Sequence, residues 1–78
     1  MAVLRLFAAA REAAGTGRDT VDAATVGEVL GEARRRYGEG FAAVLDRSRV
    51  WKNGEPVGEG EPVGPEDEVA VLPPVSGG

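Results

Sequence analysis

The stretch Thr25-Val26-Gly27-Glu28-Val29-Leu30-Gly31-Glu32-Ala33-Arg34-Arg35-Arg36-Tyr37-Gly38 carries the clearest structural signal in the chain. Thr25 and Glu28 have capping-box spacing, a hydroxyl at the N-cap with a carboxylate three residues on that reaches back to a free N–H. Val26, Val29, Leu30, Ala33 and Tyr37 then fall on one helical face. Arg34, Arg35 and Arg36 occupy the last turn, where cations suit the dipole, and Gly38 stops the helix. Gly27 and Gly31 each cost about 1 kcal/mol against Ala in a helix interior. The helix therefore depends on packing against a sheet.

The flanking segments supply that sheet. Val3–Ala8 reads as a strand with Leu4, Leu6 and Ala8 on one face and Val3, Arg5 and Phe7 on the other. Arg5 must reach water, so its face is the outer one. Ala9–Ala14 suits a short helical turn, and Arg18–Asp22 reads as a second strand pairing with the first. Phe41–Leu45 suits one more helical turn, and Ser48–Lys52 a strand. Asn53-Gly54 is a type I′ hairpin signal, and Pro56 marks the return strand Glu55–Val57 as an edge. Residues 58–66 are turn-rich. Glu68–Leu72 is the last strand, with Val69 and Val71 on one face and Glu68, Ala70 and Leu72 on the other. Pro73-Pro74 ends it and stiffens a tail. The order β-β-α-β-β-β gives an α+β fold, a mixed sheet with one main helix on one face and the first and last strands parallel at its centre. This is the ubiquitin-like β-grasp order, with residues 1–72 as the domain and 73–78 as an extended C-terminal tail ending in Gly-Gly.

Composition removes whole classes of chemistry. The chain has 78 residues, no His and no Cys, so disulfide scaffolds, zinc knuckles, thiol nucleophiles and His-based relays are excluded. No apolar run approaches a membrane span, and residues 1–6 do not open a signal peptide, so the expected location is cytoplasmic. Net charge is −4. The six acidic residues from Glu55 onward stand without a basic one, which argues against nucleic acid and membrane. They serve either a basic protein partner or plain solubility.

Candidate chemistry reduces to one group. The Gly15-x-Gly17, Gly38-x-Gly40 and Gly58-x-Gly60 segments lack a P-loop lysine and dinucleotide spacing, and read as turns. Glu66-Asp67-Glu68 is a solvated loop, because a catalytic carboxylate pair must flank a cleft. The three consecutive arginines fan around a helix end. No metal site is expected. The C-terminus remains. Gly77 and Gly78 have no side chains and fit a narrow tunnel, and the α-carboxylate of Gly78 becomes an acyl donor once activated as an adenylate.

Phe7-Ala8-Ala9-Ala10-Arg11-Glu12, Ala14-Gly15-Thr16, Thr25-Val26, Asn53-Gly54, Asp67-Glu68-Val69-Ala70 and above all Pro73-Pro74-Val75-Ser76-Gly77-Gly78 resemble the MoaD-type sulfur carriers of the MoaD/ThiS ubiquitin-like family, the small subunits of molybdopterin synthase. The resemblance covers essentially the whole chain. It implies a β-grasp fold and a chain that is no enzyme on its own. Its partners would be a MoeB-like (E1-like) adenylating enzyme that uses ATP, a sulfur donor protein, and a MoaE-like large subunit. No cofactor would be bound by this chain. Gly78 would carry the adenylate and then the thiocarboxylate that supplies the molybdopterin dithiolene, and Gly77, Ser76 and Val75 would thread the tail. Phe7, Leu72 and Arg11 match partner-contact positions. Lys52 and Trp51 depart from the family, which often has Val and a small residue there. By strand phase Phe7 and Leu72 share the outer face, and Trp51 is either a third docking residue there or part of the core. Other functions open to the same pattern are sulfur delivery to thiazole or cysteine synthesis, ubiquitin-like modification of proteins, and a plain β-grasp interaction module.

Overall fold

The structure, a computed structural model, describes residues 1–74. In chain order the elements are β1 (Ala2–Leu6), α1 (Ala8–Ala14), β2 (Arg18–Val21), α2 (Val26–Tyr37), α3 (Glu39–Leu45), β3 (Arg49–Lys52), β4 (Glu55–Pro56) and β5 (Glu68–Leu72). The five strands lie in the order β2-β1-β5-β3-β4, with β1 and β5 parallel at the centre and the other pairings antiparallel. This is the expected ubiquitin-like β-grasp sheet. It carries three helices where the sequence pattern gave one helix and two turns.

One core joins the sheet to all three helices. Leu4, Leu6, Val69 and Val71 of the sheet meet Val26, Val29, Leu30 and Ala33 of α2, Ala10 of α1, and Phe41 and Leu45 of α3. Phe41 is fully buried and meets the Tyr37 ring edge-on, 5.2 Å between centroids at 63°. That contact turns the weak Phe41–Leu45 signal into a two-turn helix. The segment after β4 is also more than a loop, because Val63 is buried in the core.

The N–H groups of the first turn of α2, from Val26 to Glu28, are all partnered. Thr25 Oγ1 accepts the Glu28 N–H at 3.2 Å, as the capping box requires. The Glu28 carboxylate accepts the N–H of Ala24, one residue before the cap, at 2.9 Å. The Val26 and Gly27 N–H groups, orphans in an isolated helix, donate to the carbonyls of Glu61 and Glu59 at 2.9 and 2.8 Å. A Cβ on Gly27 would lie 3.2 Å from that Glu59 carbonyl, so glycine allows the approach. Gly31 has nothing within 4 Å, and its cost stands uncompensated.

Strand β1 ends two residues earlier than its alternation implies. Phe7 is still extended, at φ −126°, but Ala8 takes φ +50° and opens α1. Ala8 is therefore exposed rather than inward-facing, a correction to the strand pattern. The left-handed turn costs a non-glycine residue about 1 kcal/mol, and the burial of Ala10 offsets it. Asn53 and Gly54 both have positive φ, +51° and +87°, as a type I′ turn demands. The Asn53 side chain accepts the Glu68 N–H at 2.9 Å and donates to Asp67 at 2.8 Å, fixing the hairpin to the start of β5.

One sheet edge is occupied by the chain's own groups and the other is short. Alternation of the β1–β2 ladder turns the backbone of Arg18 and Thr20 outward. The Thr20 N–H donates to Asp19 at 2.8 Å, and the Thr20 carbonyl accepts from Arg36 at 2.9 Å. The Thr16 hydroxyl accepts the Arg18 N–H at 3.4 Å and donates to the Arg18 carbonyl at 3.0 Å. At the far edge β4 is two residues long, and Pro56 has no N–H.

Candidate functional site

Register places the outer face. Arg5 stands opposite Ala70 across the parallel pair, Ala70 opposite Trp51, and Trp51 opposite Pro56. Leu72 stands opposite Arg49 and is next in register beside Phe7. Residues directly opposite share a face, so Phe7, Leu72 and Trp51 lie together on the face that the helices leave uncovered. Phe7 is 38% exposed, and Leu72 and Trp51 are half-buried. Trp51 is thus on the outer surface and not in the core. Large apolar side chains grouped on an uncovered sheet face are what a docking partner can desolvate.

Lys52 departs from the family pattern in an informative way. It pairs with Val69 and so points to the core side of the sheet. Its Nζ reaches the margin and donates to Glu61 at 2.9 Å and to the Pro62 carbonyl at 3.1 Å, with the side chain 19% exposed. The Glu61 hydrogen bond, against the opposing effect of burial, raises the Lys52 pKa. The ammonium snorkels while its stem covers apolar surface.

Arg11 of α1 is exposed and lines a cleft of about 510 Å³ with Arg5, Phe7, Thr16, Gly17 and Arg18. The Arg5 guanidinium lies 5.7 Å from the Phe7 ring centre. The sequence pattern singled out Arg11 but missed Arg5 and Arg18 as its neighbours. Their signal was present, since both are outward in phase on adjacent strands.

The arginines of α2 do something different. Arg34 pairs with Asp46 at 2.8 Å, Arg35 with Glu32 at 2.6 Å, and Arg36 with Glu32 and Asp19 at 2.9 and 3.0 Å. Tyr37 also donates to Asp19. Burial, reinforced by that bond, pushes the Tyr37 hydroxyl up to about 12, while the same bond leads the lowering of Asp19. Arg36 and Tyr37 tie α2 to Asp19 of β2, and the Arg34–Asp46 pair lies at a second cleft of about 420 Å³, lined also by Val26, Leu30 and Val57. Among the described residues no three Asp or Glu carboxylates gather as a metal site, and no helix is long and apolar enough to cross a membrane.

The segment that the sequence pattern assigns to the chemistry follows the end of β5. Leu72 is the last strand residue, Pro73 is half-buried and Pro74 exposed. Val75, Ser76, Gly77 and Gly78, singled out for tail threading and acyl transfer, lie outside the described residues.

Comparison with known proteins gives a consistent result. No curated protein matches the chain in sequence. The crystal structure of SAMP1 from Haloferax volcanii superposes with a TM-score of 0.82 at 35% identity, covering 99% of this chain and 98% of that one. The solution structure of small archaeal modifier protein 1 from Methanosarcina acetivorans has a TM-score of 0.87 at 27% identity, covering 99% and 95%. A Pyrococcus furiosus protein provisionally described as molybdopterin converting factor subunit 1 has a TM-score of 0.83 at 26% identity, covering 95% and 97%. The family model described as "ThiS family" matches residues 4–78. With nearly its whole length matched and a β-grasp sheet beneath the match, the chain belongs to the ThiS family, small ubiquitin-like sulfur carriers of the ThiS/MoaD kind.

Proposed function

We propose that the chain is the sulfur-donating small subunit of a molybdopterin synthase and that it acts through the carboxylate of Gly78. The observation that supports this most is the Pro73-Pro74-Val75-Ser76-Gly77-Gly78 ending, set directly after a strand whose Leu72 stands beside Phe7 on the uncovered face. A MoeB-like enzyme docks on that face, and Val75, Ser76 and Gly77 thread its narrow site. The Gly78 carboxylate attacks the α-phosphate of ATP and pyrophosphate leaves. The outer sulfur of a persulfide on a sulfur donor protein then attacks the acyl carbon as AMP departs, and a thiol cleaves the resulting acyl disulfide, releasing the thiocarboxylate and leaving a disulfide with the donor. On the MoaE-like large subunit two such thiocarboxylates supply the two sulfurs of the dithiolene, each carrier leaving with its carboxylate restored. The carrier contributes docking and delivery, since it has neither Cys nor His to act as nucleophile or base.

A second reading is protein modification, favoured by the 35% identity to a protein named as a SAMP. It uses the same acyl adenylate, with a lysine amine of a target in place of sulfur. Intact mass spectrometry separates the two. Incubation with activating enzyme, ATP and a sulfur source should add about 16 Da, one oxygen exchanged for sulfur. Deleting Gly78 should abolish that gain and molybdopterin formation with the large subunit. Isopeptide conjugates on other proteins without the thiocarboxylate would select the second reading. Full activity of the Gly78-deleted chain would sink both.

A further inference from the structure

The outer face holds a charge arrangement that the fold does not need. Arg5 and Arg18 are direct cross-strand partners on that face, and like charges placed opposite one another destabilise a sheet. Arg11 approaches from α1 and lies against Gly17, where an added Cβ would meet its Nε at 3.3 Å. Three guanidinium groups thus line one cleft. Among the described residues the only carboxylate lining it is Glu68, whose contact with Arg5 is long, 3.4 Å, with both side chains over 40% exposed. Among the described residues Arg11 and Arg18 make no ion pair, as is also true of Arg47 and Arg49, whereas Arg34, Arg35, Arg36 and Lys52 all do. In a chain of net charge −4, three under-neutralised arginines together are a local reversal of sign.

We propose that the Arg5–Arg11–Arg18 cleft receives an acidic segment of the protein that docks on the outer face, its carboxylates taking the guanidinium forks while Phe7 is covered alongside. The proposal rests on the reading of that face as a docking surface and adds the chemistry of the partner. Guanidinium forks match carboxylates bidentately. A polyphosphate backbone suits the cleft less, because the surrounding chain is acidic and three arginines give a short footprint.

A test that needs no synthase component comes first. The full chain is titrated with a blocked hexaglutamate peptide and, separately, with inorganic phosphate, with the arginine Nε–Hε resonances observed by NMR. The peptide should shift Arg5, Arg11 and Arg18 and leave Arg34, Arg35 and Arg36 in place. The Arg11→Gln/Arg18→Gln variant should bind about tenfold more weakly, as two charge-assisted contacts are lost. Its urea midpoint should be unchanged or higher, because the cross-strand repulsion is relieved. Shifts spread over all arginines, phosphate binding as tight as the peptide, or a clear fall in the urea midpoint would each overturn the proposal. Binding to the large synthase subunit then separates the two levels. If Phe7→Ala weakens that complex and the double arginine variant does not, this inference fails and the docking face stands. If neither variant weakens it, both fail.

Discussion

Phe7→Ala is the most direct probe of the uncovered face. A phenylalanine presents about 200 Å², and 38% of Phe7 remains exposed in the free chain. Covering that remainder, about 75 Å² at about 25 cal/mol per Å², contributes about 2 kcal/mol to a complex, or about thirtyfold in Kd. Truncation also removes the Arg5 cation–π contact, which at an exposed site is worth about 0.5–1 kcal/mol to the free chain. A domain of this length has about 4–12 kcal/mol of total stability, so the variant should remain folded. Urea denaturation gives the stability change, and calorimetry against the large synthase subunit gives the change in Kd. A folded variant whose Kd stays within about twofold of the parent, under about 0.5 kcal/mol, would refute the assignment of Phe7 to the docking surface.

Two further expectations follow from the ionisable groups. Tyr37 has its pKa pushed up to about 12, chiefly by burial and then by the bond to Asp19. A raised folded-state pKa stabilises fully below the unfolded value, about 10, and that stability is lost as pH rises through 12; urea midpoints should fall across this window and flatten there in Tyr37→Phe, and an unchanged slope would exclude Tyr37 as the cause. Lys52, the chain's single lysine, is held as an ammonium between Glu61 and Pro62. An N-hydroxysuccinimide ester at mildly alkaline pH should acylate it more slowly than the same lysine in Glu61→Gln; equal rates in the two proteins would show that the clamp does not protect the amine.

Local signals were legible where backbone chemistry allows one answer. The capping box of Thr25 and Glu28 began α2 where the structure does, and Asn53-Gly54 turned as its two positive φ values require. Strand phase placed Phe7 and Leu72 outward because only one face of the sheet is covered. What sequence left hidden depends on distant partners. Helix α3 exists because Phe41 finds Tyr37 and the core. The end of β1 at Leu6 depends on a left-handed Ala8, which alanine does not advertise. Trp51 was ambiguous because its phase alone does not say which face of β3 is covered, and register with Ala70 settles it. Lys52 breaks the apolar pattern of its face through a carboxylate nine residues away. The Arg11 cleft needed three elements to meet, and periodicity within one element carries no trace of that.

The occupied edge of β2 has a consequence for how this molecule can be held. Edge strands with open N–H and C=O groups accept another chain as an additional strand, a mode of binding largely indifferent to side chains. Thr16, Asp19 and Arg36 already take the outward groups of Arg18 and Thr20, and β4 offers two residues and a proline. Among the described residues, copies of the chain at high concentration therefore find little open backbone on one another's sheet edges. Any protein that grips the described domain must read its side chains, so one substitution on the open face can change which protein that is without disturbing the sheet behind it.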